Sequence, residues 1–125
     1  MSIPVSSPAY LRYLVKFQRD SVNINNFEHI CTTIVNHTTD SINSTFERCA
    51  RIGETNTEVT IRLGSIVDAQ PIVENAPPEA KQNIRDQLFF FITELLKDRY
   101  KDFTKVEIKI TEDGQGIELS VDWSP

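Results

Sequence analysis

The stretch Lys105–Trp123, KVEIKITEDGQGIELSVDW, decides the fold because it predicts its own strand pairing. If Asp113 and Gly114 form the two-residue turn of a β-hairpin, residues at equal distances from the turn face each other. This register produces three apolar pairs and two pairs of opposite charge: Ile110 with Ile117, Ile108 with Leu119, Val106 with Val121, Lys109 with Glu118, and Lys105 with Asp122. Because such cross-strand pairs stabilise a sheet, the sequence predicts a C-terminal hairpin with one apolar and one charged face.

The same register places Trp123 opposite Thr104, with its side chain on the apolar face. We interpret Trp123 as a cap of the core rather than a platform on which a ligand stacks.

A further strand is predicted at Thr57–Leu63, where apolar and polar residues alternate. The segment 65–77 contains two prolines and is expected to be a connection, with room for a short strand at Ile66 and Val67. Thr57–Leu63 and the final strand of the hairpin are both candidate open edges, which would let a sheet extend across an interface.

Residues 9–19 fit two patterns. Ser7 is a suitable capping residue and Pro8 a suitable first helical residue, which favours a helix. One face of that helix would carry Tyr10, Tyr13, Leu14 and Phe17. The alternative is a strand, since apolar residues also alternate at Leu11, Tyr13, Val15 and Phe17. Residues 1–7 are expected to form a flexible N-terminus.

A long helix is predicted from about Asn26 to the residues before Gly53. Asn25 and Glu28 are spaced as a capping box, and Gly53 is suited to end the helix. Its apolar seam consists of Phe27, Cys31, Ile34, Thr38, Ile42, Thr45 and Cys49. Many threonines and asparagines lower its helix propensity, so the alternative is a break near Thr38–Ser41.

The strongest helical pattern begins at Pro78 and has one broad apolar side: Ile84, Leu88, Phe91, Ile92, Leu95, Leu96, Tyr100 and Phe103. Polar residues lie opposite: Asp86, Thr93, Glu94, Lys97 and Lys101. The predicted order is therefore helix, helix, strand, helix, strand, strand. This order is typical of an α+β fold, a single domain of residues 1–125 in which two or three helices cover one face of an antiparallel sheet of three or more strands.

The composition and charge of the chain argue against some classes of function. The chain has 125 residues, a formal net charge of -5 and an isoelectric point near 5.0, which argues against a nucleic-acid partner, because phosphate binding needs clustered lysine and arginine. Its longest apolar run, Leu88–Ile92, is too short to cross a membrane. The N-terminus lacks the pattern of a secretory signal. We therefore expect a soluble cytoplasmic protein with no membrane partner.

No residue set predicts a cofactor, a metal or a catalytic centre. On an unbroken helix Cys31 and Cys49 would lie about 27 Å apart, too far for a disulfide, and both are interpreted as buried thiols. His29 and His37 lack a second ligand at helical spacing. Gly114-Gln115-Gly116 leads into a strand rather than a helix, so it is not a phosphate loop. Enzymatic activity stays uncertain, and an interaction role is favoured over catalysis.

Packing of the predicted core does not explain why an aromatic residue stands at Phe90. On a helical wheel it falls between Lys97 and Lys101, away from the apolar side. We expect these three residues to contact a protein partner or another copy of the chain. The predicted function is a non-enzymatic interaction or assembly module, either a homo-oligomer or a subunit of a larger complex. The alternative is a domain that binds a small molecule or regulatory ligand in a pocket lined by Tyr10, Tyr13, Phe17 and Tyr100.

Overall fold

The computed structural model describes residues 4–20 and 27–125, without the side chains of residues 17–20 and 27. In this part of the chain the elements are α1 (Pro8–Asp20), α2 (Phe27–Arg51), β1 (Asn56–Arg62), α3 (Gly64–Asp68), α4 (Pro71–Glu74), α5 (Pro78–Arg99), β2 (Lys105–Ile110) and β3 (Gly116–Asp122). The fold is α+β, as predicted. The suggestion of a strand at Ile66 and Val67 was wrong, because both residues lie in the short helix α3.

Within the described residues, three strands form one antiparallel sheet in the order β1-β3-β2. The hairpin register is confirmed at all the predicted pairs. The turn is longer than predicted: the last backbone bond joins Thr111 N to Gly116 O at 3.0 Å, which leaves residues 112–115 as the loop. Because the loop takes one extra residue from each strand, its greater length leaves the register unchanged.

The longer loop is stabilised by Asp113. Its Oδ1 accepts hydrogen bonds from Thr111 Oγ1 at 2.6 Å and from Gln115 N at 3.0 Å. These bonds hold the pKa of the Asp113 carboxyl below its usual range, because they favour the charged form. Gly114 has a φ of 69°, the left-handed conformation that favours glycine.

The strand β3 lies in the middle of the sheet, because β1 pairs with its other side. Of the two candidate edges, the final strand of the hairpin is therefore not an edge, whereas β1 is; the other edge is β2. The inner face carries the buried side chains of Ile117, Leu119 and Val121. Trp123 packs at the open end of this face, with its ring centroid 5.8 Å from that of Phe46.

Residues 8–20 form a helix, not a strand. Ser7 Oγ accepts a hydrogen bond from Tyr10 N at 3.2 Å, the bond expected of an N-cap. Tyr10 is buried, whereas Leu11 and Val15 are about half exposed on the outer side. The side chain of Phe17 lies outside the described residues.

The segment 4–7 runs along α5. Asn83 Nδ2 donates to Val5 O at 2.7 Å, and its Oδ1 accepts from Ser7 N at 3.1 Å. Gln87 Nε2 donates to Pro4 O at 3.0 Å and to Ser6 Oγ at 3.3 Å. The flexibility of residues 1–7 stays a prediction, while these bonds explain why Gln87 is a buried polar side chain.

The helix α2 is unbroken from Phe27 to Arg51, so the alternative break near Thr38–Ser41 is not observed. Threonine hydroxyls along it donate to carbonyl groups of the preceding turn, as Thr39 Oγ1 does to Val35 O at 2.6 Å. The proposed cap Asn25 lies outside the described residues. Tertiary bonds support the helix: Arg99 of α5 donates to Asn36 and Thr39.

The helix α5 forms the centre of the core, with Ile84, Leu88, Ile92 and Leu96 fully buried. The burial of its side chains differs from the helical-wheel prediction at two positions. Thr93 was expected on the outer side but is fully buried, and Phe91 was expected in the core but is 40% exposed. Thr93 Oγ1 donates to Phe90 O at 2.7 Å, which satisfies its hydroxyl inside the protein. Phe91 lies one turn beyond Gln87, whose side chain bonds to Pro4 and Ser6.

Candidate protein-interaction site

The outer edge of β2 exposes backbone hydrogen-bonding groups. Alternate residues of an antiparallel strand bond to one neighbour, and those between them point the other way. Every second residue on the β2 side of the hairpin bonds to β3 through its backbone. This series starts at Thr111, which pairs with Gly116, and runs back to Lys105. The N–H and C=O groups that point away from β3 are those of Val106, Ile108 and Ile110. No hydrogen bond within residues 4–20 and 27–125 reaches them.

The side chains of this edge divide by face. Val106 and Ile108 are half-buried on the inner face, and Ile110 is 43% exposed there. The outer face carries three exposed charged residues of alternating sign: Lys105, Glu107 and Lys109. The edge therefore offers unpaired backbone groups together with a partly uncovered apolar row, the combination that promotes strand addition.

Phe90 lies on the side of α5 that is remote from α2. It is nine residues from Arg99, about two and a half helical turns, so the two residues point in opposite directions. Arg99 bonds to Asn36 and Thr39 of α2. Asn83 lies about two turns before Phe90 on the same side of α5, where it bonds to Val5 and Ser7 of the segment 4–7.

Lys97 and Lys101 follow Phe90 at about two and three helical turns, on the same side of α5. The structure thus places the three predicted partner-binding residues along one side of α5. We call the open edge of β2 together with Phe90, Lys97 and Lys101 the β2 flank.

The local environment of Phe90 is aromatic. Its ring centroid lies 5.8 Å from that of Phe91, with the rings 80° apart in an edge-to-face arrangement. Phe90 is half-buried, which leaves part of its ring accessible. Its role as a partner-binding residue stays a prediction.

The two lysines of the β2 flank form weak surface pairs. Lys97 Nζ lies 3.5 Å from Glu94 Oε1, and Lys101 Nζ lies 3.8 Å from Asp98 Oδ1. Exposed pairs of this kind add little to stability, so both ammonium groups can exchange these partners for others.

Sequence reasoning missed Arg85, which joins three elements. Its Nε lies 2.7 Å from Asp68 Oδ1 of α3, and its Nη2 donates to Gln115 Oε1 of the hairpin loop at 3.2 Å. Its guanidinium also lies over the ring of Phe89, 5.4 Å from the centroid. No spacing in the sequence indicates this network, because its members come together only in the tertiary fold. It is a structural contact at the hairpin loop.

Three of the four residues expected to line a ligand pocket have described side chains, and these three do not line one pocket. Tyr10 and Tyr100 are each 5% exposed and belong to the core, and Tyr100 Oη donates to Asn43 Oδ1 at 2.8 Å. Tyr13 instead lines an open surface cleft of about 340 Å³ between α1 and the start of α5. The other residues of that cleft are Ala9, Arg12, Lys16, Asn75, Pro77 and Glu79.

The nucleophile and metal candidates show no catalytic arrangement. Both cysteines are free thiols. Burial, assisted by the negative charge of Glu28, raises the pKa of Cys31 to about 12, which makes its thiolate scarce at neutral pH. His29 and His37 are exposed. Within the described residues there is no group of three or more His, Cys, Asp and Glu side chains that could hold a metal ion.

Among the helices of the described chain, none is long and apolar enough to span a bilayer. No protein-family model, no curated protein and no solved structure matches this chain.

Proposed function

We propose that this domain is a non-enzymatic interaction or assembly module and that the β2 flank is its contact surface. The observation that carries the proposal is the open edge of β2, where unpaired backbone groups lie beside the exposed side chain of Ile110. Natural sheets usually shorten, cover, charge or twist away such an edge, and the charged residues of β2 lie on its outer face, while Ile110 is exposed on the inner face. An edge left open and partly apolar is suited to receive another chain.

The side chains of α5 add the second half of this surface. Phe90 supplies an aromatic ring that a partner could cover, and Lys97 and Lys101 supply charge at the rim of the contact. Interfaces commonly combine an aromatic centre with a charged rim. A cytoplasmic location and a protein partner rather than a nucleic acid belong to the same proposal.

Replacing Phe90 with Glu tests the proposal. We expect the F90E variant to keep its fold, because Phe90 is only half-buried, and to raise the dissociation constant of self-association or partner binding roughly tenfold or more. Light scattering coupled to size exclusion, across a range of protein concentrations, measures the change in mass.

The matched control is Ile52→Glu, which adds the same charge at an apolar residue that is 71% exposed at the end of α2. This variant should associate like the unmodified chain. If the unmodified chain is monomeric at every concentration and binds no protein, or if F90E associates unchanged, the proposal is wrong.

A ligand-binding function is the second candidate, supported by the cleft at α1. Two basic side chains, Arg12 and Lys16, line it beside the ring of Tyr13, so an acidic small molecule with an aromatic part would suit it. Native mass spectrometry of the purified protein should then show a bound adduct that is lost in a Tyr13→Ala variant. A spectrum of the bare chain alone would contradict this candidate.

A further inference from the structure

We infer that the partner at the β2 flank is a second copy of this chain, and that the two β2 strands pair antiparallel around a two-fold axis at Ile108. The two sheets then form one continuous sheet of six strands, counted over the described residues. This inference rests on the proposed function and specifies its partner and its register.

The backbone geometry permits this pairing. The outward-pointing groups belong to Val106, Ile108 and Ile110, which are alternate residues. With Ile108 on the axis, Ile108 faces its equivalent and Val106 faces the second copy's Ile110. Every outward residue then meets an outward residue, which is the condition for forming hydrogen-bonded pairs in an antiparallel ladder.

The side chains select the register. With Ile108 on the axis, Glu107 of each copy faces Lys109 of the other copy, which gives two pairs of opposite charge. On the inner face, the same register forms three apolar pairs. A two-fold axis at Glu107 would instead place Glu107 against Glu107 and Lys105 against Lys109. These like charges directly opposite each other are destabilising.

An axis at Val106 is also inferior. It pairs Glu107 with Lys105 of the second copy, but it places Ile108 opposite Thr104 and Ile110 opposite Asp102. The apolar row would then face polar residues of the chain before β2. Of these three registers, only the one centred on Ile108 satisfies both faces of the strand.

The edge of β1 is the weaker candidate for the same contact. Its apolar residues Val59 and Ile61 are half-buried, so none is as exposed as Ile110. Arg62 already forms an ion pair within the chain, in which its Nη1 lies 3.1 Å from Asp113 Oδ2.

Pairing through β2 brings the two α5 helices close to each other. In this register equivalent residues share a face, so both helical layers lie on the same side of the joined sheet.

A charge-complementation experiment tests the register. The E107K variant carries lysine at positions 107 and 109, and the K109E/E118K variant carries glutamate at both positions. The second substitution, E118K, keeps a pair of opposite charge between residues 109 and 118 within the hairpin. Each variant alone places like charges across the axis, so its dissociation constant should rise about tenfold or more. An equimolar mixture should form a heterodimer, which native mass spectrometry distinguishes from either homodimer by mass.

The matched control is E58K on β1. Glu58 and Glu107 both pair with Ser120, from opposite sides of β3, and both are exposed. The E58K variant should therefore form dimers like the unmodified chain, and its circular dichroism melting curve should resemble that of E107K.

The outcomes separate the two proposals. If E107K remains dimeric, or if the mixture yields no heterodimer, pairing through β2 is wrong, whereas loss of association in F90E would still support the interaction module. If E58K alone dissociates the dimer, the edge is β1. If the unmodified chain never associates, the second copy is excluded as the partner.

Discussion

Replacing Gly116 with alanine lowers the free energy of unfolding by about 2–4 kcal/mol, as we expect for a clash that no neighbour can relieve. A Cβ at this position would lie closer than 3.0 Å to the carbonyl oxygen of Ile61 and 3.3 Å from its carbonyl carbon. These atoms belong to the backbone of β1, which the ladder with β3 holds in place. The alanine methyl therefore forces β1 and β3 apart at the end next to the hairpin loop.

Urea unfolding followed by circular dichroism measures this loss, with Gly114→Ala as the control. Gly114 has open space around its Cβ position but a φ of 69°, so alanine there costs only the conformational penalty of about 1–2 kcal/mol. A G116A variant no less stable than G114A would show that the two strands are not in close contact at this point.

Replacing Leu88 with alanine should lower the free energy of unfolding by about 3 kcal/mol, within the range found for fully buried leucines. Leu88 has no exposed surface and lies at the middle of α5, which packs against α1, α2 and β2. Since each of these elements is held by its own bonds, they cannot all close around the lost methyl groups. A cavity remains, and it adds to the lost burial of apolar surface.

The same substitution at Leu11 is the control, because Leu11 is 49% exposed on the outer side of α1. Alanine is the better helix former, so L11A should change stability by less than about 1 kcal/mol. Thermal and urea unfolding of the two variants should agree on this difference. Equal losses would mean that α5 is not the centre of the core.

The hairpin could be predicted from the sequence because both of its faces constrain one register, and shifting that register would mispair apolar with charged residues. The order of the strands in the sheet could not be predicted from the sequence. Alternation along β3 shows which face is buried, but it does not show that both backbone sides of the strand are used. Glu118, Ser120 and Asp122 read like the outer face of an edge strand, although β3 is central.

The candidate site could be predicted only in part. Helical spacing placed Phe90, Lys97 and Lys101 together, since that depends on the helix alone. It could not show which strand is left as an open edge, because this depends on how β1 and β2 pair with β3. The same limit explains Phe91 and Thr93: a wheel gives directions around α5, but burial depends on which neighbouring elements pack against each direction.

The central position of β3 also has a consequence for how the chain folds during synthesis. β1 and β2 make no strand pairing with each other, and each needs β3, which follows both in the sequence. No part of the sheet can therefore form until β3 has left the ribosome, after α5 and its apolar side have already emerged. Until then the helices alone must shield that surface, and the slow, long-range closure of β1 onto β3 completes the domain.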